Sequence, residues 1–179
     1  MEKPTTMLSQ EHQNILRMVN ALADECKLLE SGKKLDKDFF VKIIDFIKNY
    51  ADKFHHAKEE EILFAELNKD SGNLHCNPVQ QMLYEHDLGR KFVKALEEGL
   101  NKNNKLEIIK NADAYSQLIQ EHIFKEDNIL FNLADNSLSQ QIQESMLKKF
   151  KQAEIKNFKK GAKEKYLSLI NEFENRQNE

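Results

Sequence analysis

The sequence predicts an all-α protein: an antiparallel up-down-up-down four-helix bundle followed by one or two accessory helices. Three observations carry this reading. Only 2 prolines and 5 glycines occur in 179 residues, too few turn formers for a strand-rich chain. Apolar residues recur at alternating three- and four-residue steps through four long stretches separated by short polar connections. The length suits one domain with a substantial buried core.

The first helix is expected from near Thr6 to about Glu30, stopped by Ser31-Gly32. Its seam reads Leu8, His12, Ile15, Val19, Leu22, Cys26 and Leu29, the spacing of bundle packing, so His12 points into the core. Asp36 is a good N-cap for the second helix, which carries Phe40, Ile44, Ile47, Ala51, His55, Glu59 and Ile62 on one face and ends near Leu67. Asn77 caps the third helix and Pro78 takes its first position; Val79, Met82, His86, Gly89, Val93, Leu96 and Leu100 form its seam. Asn101 to Asn104 end it. The fourth shows Ile108, Ala112, Tyr115, Ile119, His122, Glu126, Ile129 and Leu133 and closes at Asp135-Asn136.

These four helices make residues 1–136 the bundle, and residues 137–179 a helical extension packed on it. The extension breaks at Gly161. Ile142, Met146, Phe150, Ile155 and Phe158 give one apolar stripe; Tyr166, Leu167, Ile170 and Phe173 give another. Residues Asn175 to Glu179 are expected to fray.

Charge and cysteine content narrow the function classes. The 27 basic and 30 acidic side chains give a net charge of −3, spread along helix faces with no basic stripe for nucleic acid. Cys26 and Cys76 lie too far apart for a redox or zinc CxxC motif, and Cys26 on its apolar face reads as a buried reduced thiol. No stretch is apolar enough for a signal core or a membrane span. The expected setting is the cytoplasm, with no membrane or nucleic-acid partner.

An internal repeat carries the chemistry. His55-His56-Ala57-Lys58-Glu59-Glu60-Glu61-Ile62-Leu63-Phe64 recurs as His122-Ile123-Phe124-Lys125-Glu126-Asp127-Asn128-Ile129-Leu130-Phe131, matching His55 with His122, Lys58 with Lys125 and Glu59 with Glu126. Likewise Glu11-His12 matches Glu85-His86. Each copy sets a histidine and a glutamate at i and i+4 on one helix face, where nitrogen and oxygen can converge on one ion; iron, zinc and manganese all suit such donors. A lone histidine in an apolar seam is more often a hydrogen-bonded core residue than a ligand. Here four of the 6 histidines take matching places, beside two carboxylates that are costly to bury unpaired. His12, His55, Glu59, His86, His122 and Glu126 are therefore the candidate ligands of a dinuclear metal site.

Of the neighbours, His56 aligns with Ile123 and is assigned to the outer shell or surface. Glu60 aligns with Asp127, and either suits an acceptor behind a ligand. Tyr115 reads as a core aromatic, with a donor role toward a bound oxygen species as the alternative. His75 reads as a plain loop residue. The Glu-x-x-His pairs of ferritin-like bundles are absent, since Ser9, Asp52, Leu83 and Ile119 stand three residues before the four histidines.

On Glu11-His12, His55 to Glu60, Glu85-His86 and His122 to Asp127, the stretch from about Leu8 to Leu133 resembles the hemerythrin-like family of HHE cation-binding domains. The resemblance implies two non-haem iron ions in a four-helix bundle, with O₂, NO or peroxide as the small ligand. It assigns His12 and His55 to one iron, His86 and His122 to the other, and Glu59 and Glu126 to bridging positions. Oxygen-carrying hemerythrins have a second histidine one turn before the third-helix ligand, where this chain has Met82, and an aspartate five residues after the fourth-helix histidine, a spacing that Asp127 matches. One imidazole fewer implies an open iron position and favours sensing, iron handling or redox chemistry over reversible O₂ carriage. Three functions follow as expectations: an O₂- or NO-binding protein, a stress-defence enzyme acting on peroxide or NO or donating iron for iron-sulfur repair, and a zinc-stapled interaction bundle.

Overall fold

The structure is a computed structural model that describes residues 2–69, 78–158 and 161–176. Among them every regular element is helical. The first helix, α1 (Pro4–Glu30), starts slightly earlier than the seam predicts, because Pro4 supplies a pre-set φ at a position that needs no N–H donor. Gly32, at φ 102°, takes the left-handed conformation that ends it.

The second helical run is continuous from 37 to 69. It consists of α2 (Lys37–Phe46), π-helical segments Ile47–His56 and Glu59–Leu63, and α3 (Phe64–Lys69). Asp36 caps it by accepting from the Phe39 N–H at 3.1 Å. The third is α4 (Val79–Asn101), with Pro78 immediately before it; the Asn77 cap lies outside the described residues. Asn103 at φ 53° turns the chain, and Asn104 caps α5 (Lys105–Lys125). A π-helical turn, Glu126–Leu130, leads into α6 (Phe131–Ser137).

The most extensive pairing is between α4 and α5, with α1 also packed along α5. Gly99 permits the close approach at the α4–α5 turn, since a Cβ there would lie 3.2 Å from the Ile108 backbone nitrogen. Two apolar clusters fill the interior. One joins Ile15, Leu22, Phe40, Tyr50, Leu96 and Ile119; the other joins Leu8, Leu63, Met82, Leu130 and Phe131.

Two further helices, α7 (Gln140–Asn157) and α8 (Ala162–Arg176), flank Gly161, whose φ of 85° lets the chain reverse. Both contact α1, and α7 also touches the two π-helical segments of the second run. Met146 and Phe150 enter the second cluster, and Ile170 and Phe173 the first. Ile155 does not follow its expected stripe and is 82% exposed. A five-residue step from Phe150 carries it round to the outer face. Asn175 and Arg176, expected to fray, belong to α8, and Arg176 reaches Asp36 at 3.3 Å. Arg17 clasps Glu174 through both Nε and Nη2, at 2.6 and 2.5 Å.

Phe150 is fully buried, so Phe150→Ala should cost about 3–5 kcal/mol in urea denaturation. A loss below about 1 kcal/mol would contradict the seating of α7 on the bundle. Burial also pushes the Cys26 thiol up to about 12. In a Cys76→Ser background, Cys26 should resist Ellman's reagent at pH 8 in the folded protein and react at once in guanidinium; rapid reaction when folded would contradict its burial.

Candidate metal centre

His12, His55, His86, His122, Glu59 and Glu126 come together in a layer between the two apolar clusters, none more than 1% exposed. His12 sits between Leu8 and Ile15 on α1, so the heptad seam that builds the core also aims the imidazole. His86 comes from α4 and His122 from the last turn of α5, while His55, Glu59 and Glu126 lie in π-helical turns of the second run and of the α5–α6 run. The Phe64 N–H bonds back to the Glu59 carbonyl, and the Phe131 N–H to the Glu126 carbonyl, five residues each. Such turns insert an extra residue into a helix and re-aim its side chains, often at functional sites.

The same widening accounts for His56, which the sequence reading assigns to the outer shell or surface. On a straight α-helix, neighbouring side chains point roughly 100° apart. The π-helical turn narrows that angle, and His56 is buried alongside His55, stacked on His86 at 3.8 Å between ring centroids. Its donors combine with those of Glu59, His86 and His122 in one group whose ligand atoms lie within 4.8 Å of one another. His12, His55, Glu59 and Glu126 form a second such group.

Glu59 belongs to both. Its Oε1 lies 3.3 Å from His55 Nε2 and 3.8 Å from His12 Nε2, while Oε2 lies 3.6 Å from His86 Nε2. Glu126 Oε2 stands 3.2 Å from the Nε2 atoms of both His12 and His122. All four carboxylate oxygens, and the Nε2 atoms of His12 and His55, are buried without a hydrogen-bond partner. Leaving so many polar atoms unsatisfied costs several kcal/mol unless a cation joins them.

The opposite edge of each ring settles its tautomer. Nδ1 of His12 meets Asp127 at 2.9 Å, that of His55 meets Glu11 at 3.0 Å, that of His86 meets Glu60 at 2.7 Å and that of His122 meets Glu85 at 2.9 Å. His56 Nδ1 faces Asp52 at 3.4 Å. An ionised carboxylate only accepts, so each Nδ1 carries the hydrogen and a neutral ring turns its Nε2 lone pair inward. His86 and His122 bring two Nε2 atoms within 3.0 Å, close enough to share a proton or a cation between them. Imidazoles backed by carboxylates are the usual dress of metal-ligating histidines.

The supports continue outward in pairs. Lys58 donates to Glu11, and Lys125 to Glu85. Phe131 stacks on His12 and Phe64 on His86. These residues hold matching places in the repeat, so the signal for the supporting Glu11, Glu85, Lys58 and Lys125 lies in the sequence beside that for the ligands. Asp127 bonds the outer edge of His12 while Glu126 faces inward, so the internal repeat selects the inward carboxylate and the family spacing noted above does not.

Charge follows this arrangement. Burial alone pulls the His12 and His122 pKa values down, but the bond to Asp127 and the nearby Glu126 carboxylate lift His12 to about 9, and the carboxylates of Glu126 and Glu85 lift His122 to about 10. Burial opposes ionisation of Glu126, yet the two imidazoles hold it well below the usual carboxylate range. The layer attracts positive charge strongly. His56 moves the other way: burial and the neighbouring His86 lower its pKa, keeping it a neutral ring suited to ligation. Tyr115 is buried with an unpartnered hydroxyl. His75 and Cys76 lie outside the described residues.

Comparison with known proteins agrees with this chemistry. No curated protein matches the chain. The family model described as Hemerythrin HHE cation binding domain matches residues 3–134, a stretch containing every residue of the layer. This chain belongs to the hemerythrin HHE cation-binding domain family.

Proposed function

We propose that the protein is a non-haem di-iron protein of the hemerythrin type that binds O₂ or NO. The observation that carries this reading is the pair of fully buried, unpartnered carboxylates, Glu59 and Glu126, ringed by inward-facing imidazole nitrogens. In this reading His12 and His55 hold one ion, His56, His86 and His122 hold the other, and Glu59 and Glu126 reach both. Residues 1–136 form the up-down-up-down bundle and residues 137–179 an extension packed on it, in the cytoplasm.

Nitrogen-rich donors with carboxylates suit iron, zinc and manganese alike; iron is preferred because the resemblance to the hemerythrin-like family implies it. A ferrous pair supplies two electrons and open coordination positions to a small ligand. The chain's own contribution is to fix the rings and exclude water. Glu11, Asp127, Glu60 and Glu85 hold each imidazole by its Nδ1 and make it more basic. Phe64 and Phe131 cover His86 and His12. His56 adds an imidazole that the sequence reading, with Met82 in the expected place, leaves out. An enzyme acting on peroxide or NO is the second reading, favoured by a cavity of about 410 Å³ that His56 and His86 help to line.

Protein purified without air should carry about two irons per chain, from the two ligand groups, and gain a visible absorption band when air is admitted. Stoichiometric zinc with no spectral change would overturn the gas-binding function. Repeated consumption of peroxide or NO would favour the enzyme.

Glu59→Ala and Glu126→Ala should each lose most of the metal. Glu60→Ala, which removes only the carboxylate behind His86, should keep it with affinity reduced about 10- to 100-fold. Equal metal retention in all three, read by elemental analysis after dialysis, would contradict the ligand assignment.

A further inference from the structure

The two ligand groups are not equally sheltered. The side chains of His12, His55, His86, His122, Glu59 and Glu126 have almost no exposure, whereas that of His56 is 8% exposed. The cavity that reaches His56 and His86 is also lined by Asp52 and Arg90, and by none of His12, His55 and Glu126.

A ligating ring leaves its ion by turning, and the bond at its Nδ1 edge resists that turn. For His56 and His86 one surface side chain secures both bonds. Arg90 donates to Asp52 Oδ1 through Nε at 3.0 Å and Nη2 at 2.7 Å, and Nη2 also donates to Glu60 Oε1 at 2.7 Å. The same two oxygens face His56 Nδ1 at 3.4 Å and His86 Nδ1 at 2.7 Å. The two rings lie stacked, so a single guanidinium, 38% exposed, holds them as a pair. The His56 contact is the longest of the five at Nδ1, which makes this ring the least firmly held.

The other group is held from inside. His55 is fixed by Glu11, and Glu11 by Lys58, both buried. The Lys58 ammonium lies over the Phe54 ring at 3.7 Å, with the fully buried Phe150 of α7 at 5.8 Å. His12 leans on Asp127, which is a quarter exposed, but its own ring is buried and stacked on Phe131. An exposed ion pair opens at little cost and a buried one at a large cost, so Arg90 lets go long before Lys58 does.

We propose that the two metal positions exchange in order: the position formed by His56, His86 and His122 is the labile one, and Arg90 is the positioning residue that sets its release. This order presupposes the di-iron reading of the layer.

Chelation kinetics test it. Protein loaded with ferrous iron without air is mixed with excess ferrozine, and release is followed by the absorbance of the iron–ferrozine complex. Two phases are expected, each of about one ion per chain, from the two ligand groups. Arg90→Ala should quicken the faster phase about 10-fold and leave the slower one unchanged. Arg90→Lys should fall between, because one ammonium cannot hold two carboxylates as a planar fork does. Arg17→Ala, which removes an equal charge from the α1–α8 contact, should change neither phase. Thermal melts establish that each variant is folded. Release of both ions in one phase, or an Arg90→Ala effect on both phases equally or on neither, would overturn the ordered exchange and leave the two-iron reading in place. Protein that loads fewer than two irons would overturn that reading, and the order with it.

Discussion

Two carboxylates with no solvent and no hydrogen-bond donors set the terms for the rest of this molecule. Glu59 and Glu126 are each 0% exposed; three of their oxygens face imidazole nitrogens across 3.2–3.8 Å, and none of the four has a hydrogen-bond partner. A hydrophobic core tolerates such groups only where positive charge is held among them. The imidazoles around them are held in turn by a second ring of carboxylates on their Nδ1 edges, which leaves every Nε2 facing inward, free to give up its proton to a metal ion. The helices that supply these residues are thereby committed to one register, because a slip would bury the carboxylates against apolar side chains. The layer divides the core into two clusters and ties their packing to its own electrostatics.

Near-symmetry gives the site its plan, and departures from symmetry give it two unlike sides. Glu11, Lys58 and His55 on one side match Glu85, Lys125 and His122 on the other. Lys58 is buried, with its ammonium over the Phe54 ring at 3.7 Å and Phe150 of α7 nearby, whereas Lys125 is a third exposed. His56 has Ile123 as its counterpart, which adds an imidazole to one side only. The cavity opens on that same side. A ligand arriving from solvent therefore meets two different halves.

Much of this was legible before any coordinates. Seam periodicity places the four long runs and aims His12, His55, His86 and His122 inward, because packing repeats every three to four residues whatever the side chain's chemistry. The repeat exposes the glutamates, and the same matching places hold the lysines and carboxylates behind the rings. His56 escaped because ordinary helical geometry turns neighbours apart, and a π-helical turn leaves no plain mark in sequence. The repeat singles out Glu126 and the family spacing Asp127; in the structure Glu126 turns inward and Asp127 takes the outer edge of His12. The cavity was illegible for a different reason: it is made by Ile47, Gly89, Val93 and Tyr115 from three separate helices, none carrying a motif.

The proposed function stands or falls on whether one layer holds two metal ions, each among its own imidazoles. Diffraction from crystals of the iron-loaded protein, recorded at the iron absorption edge, tests it most directly. Two anomalous peaks are expected, one among His12 and His55, the other among His56, His86 and His122, with Glu59 and Glu126 reaching both. A single peak, or peaks away from these residues, would contradict it.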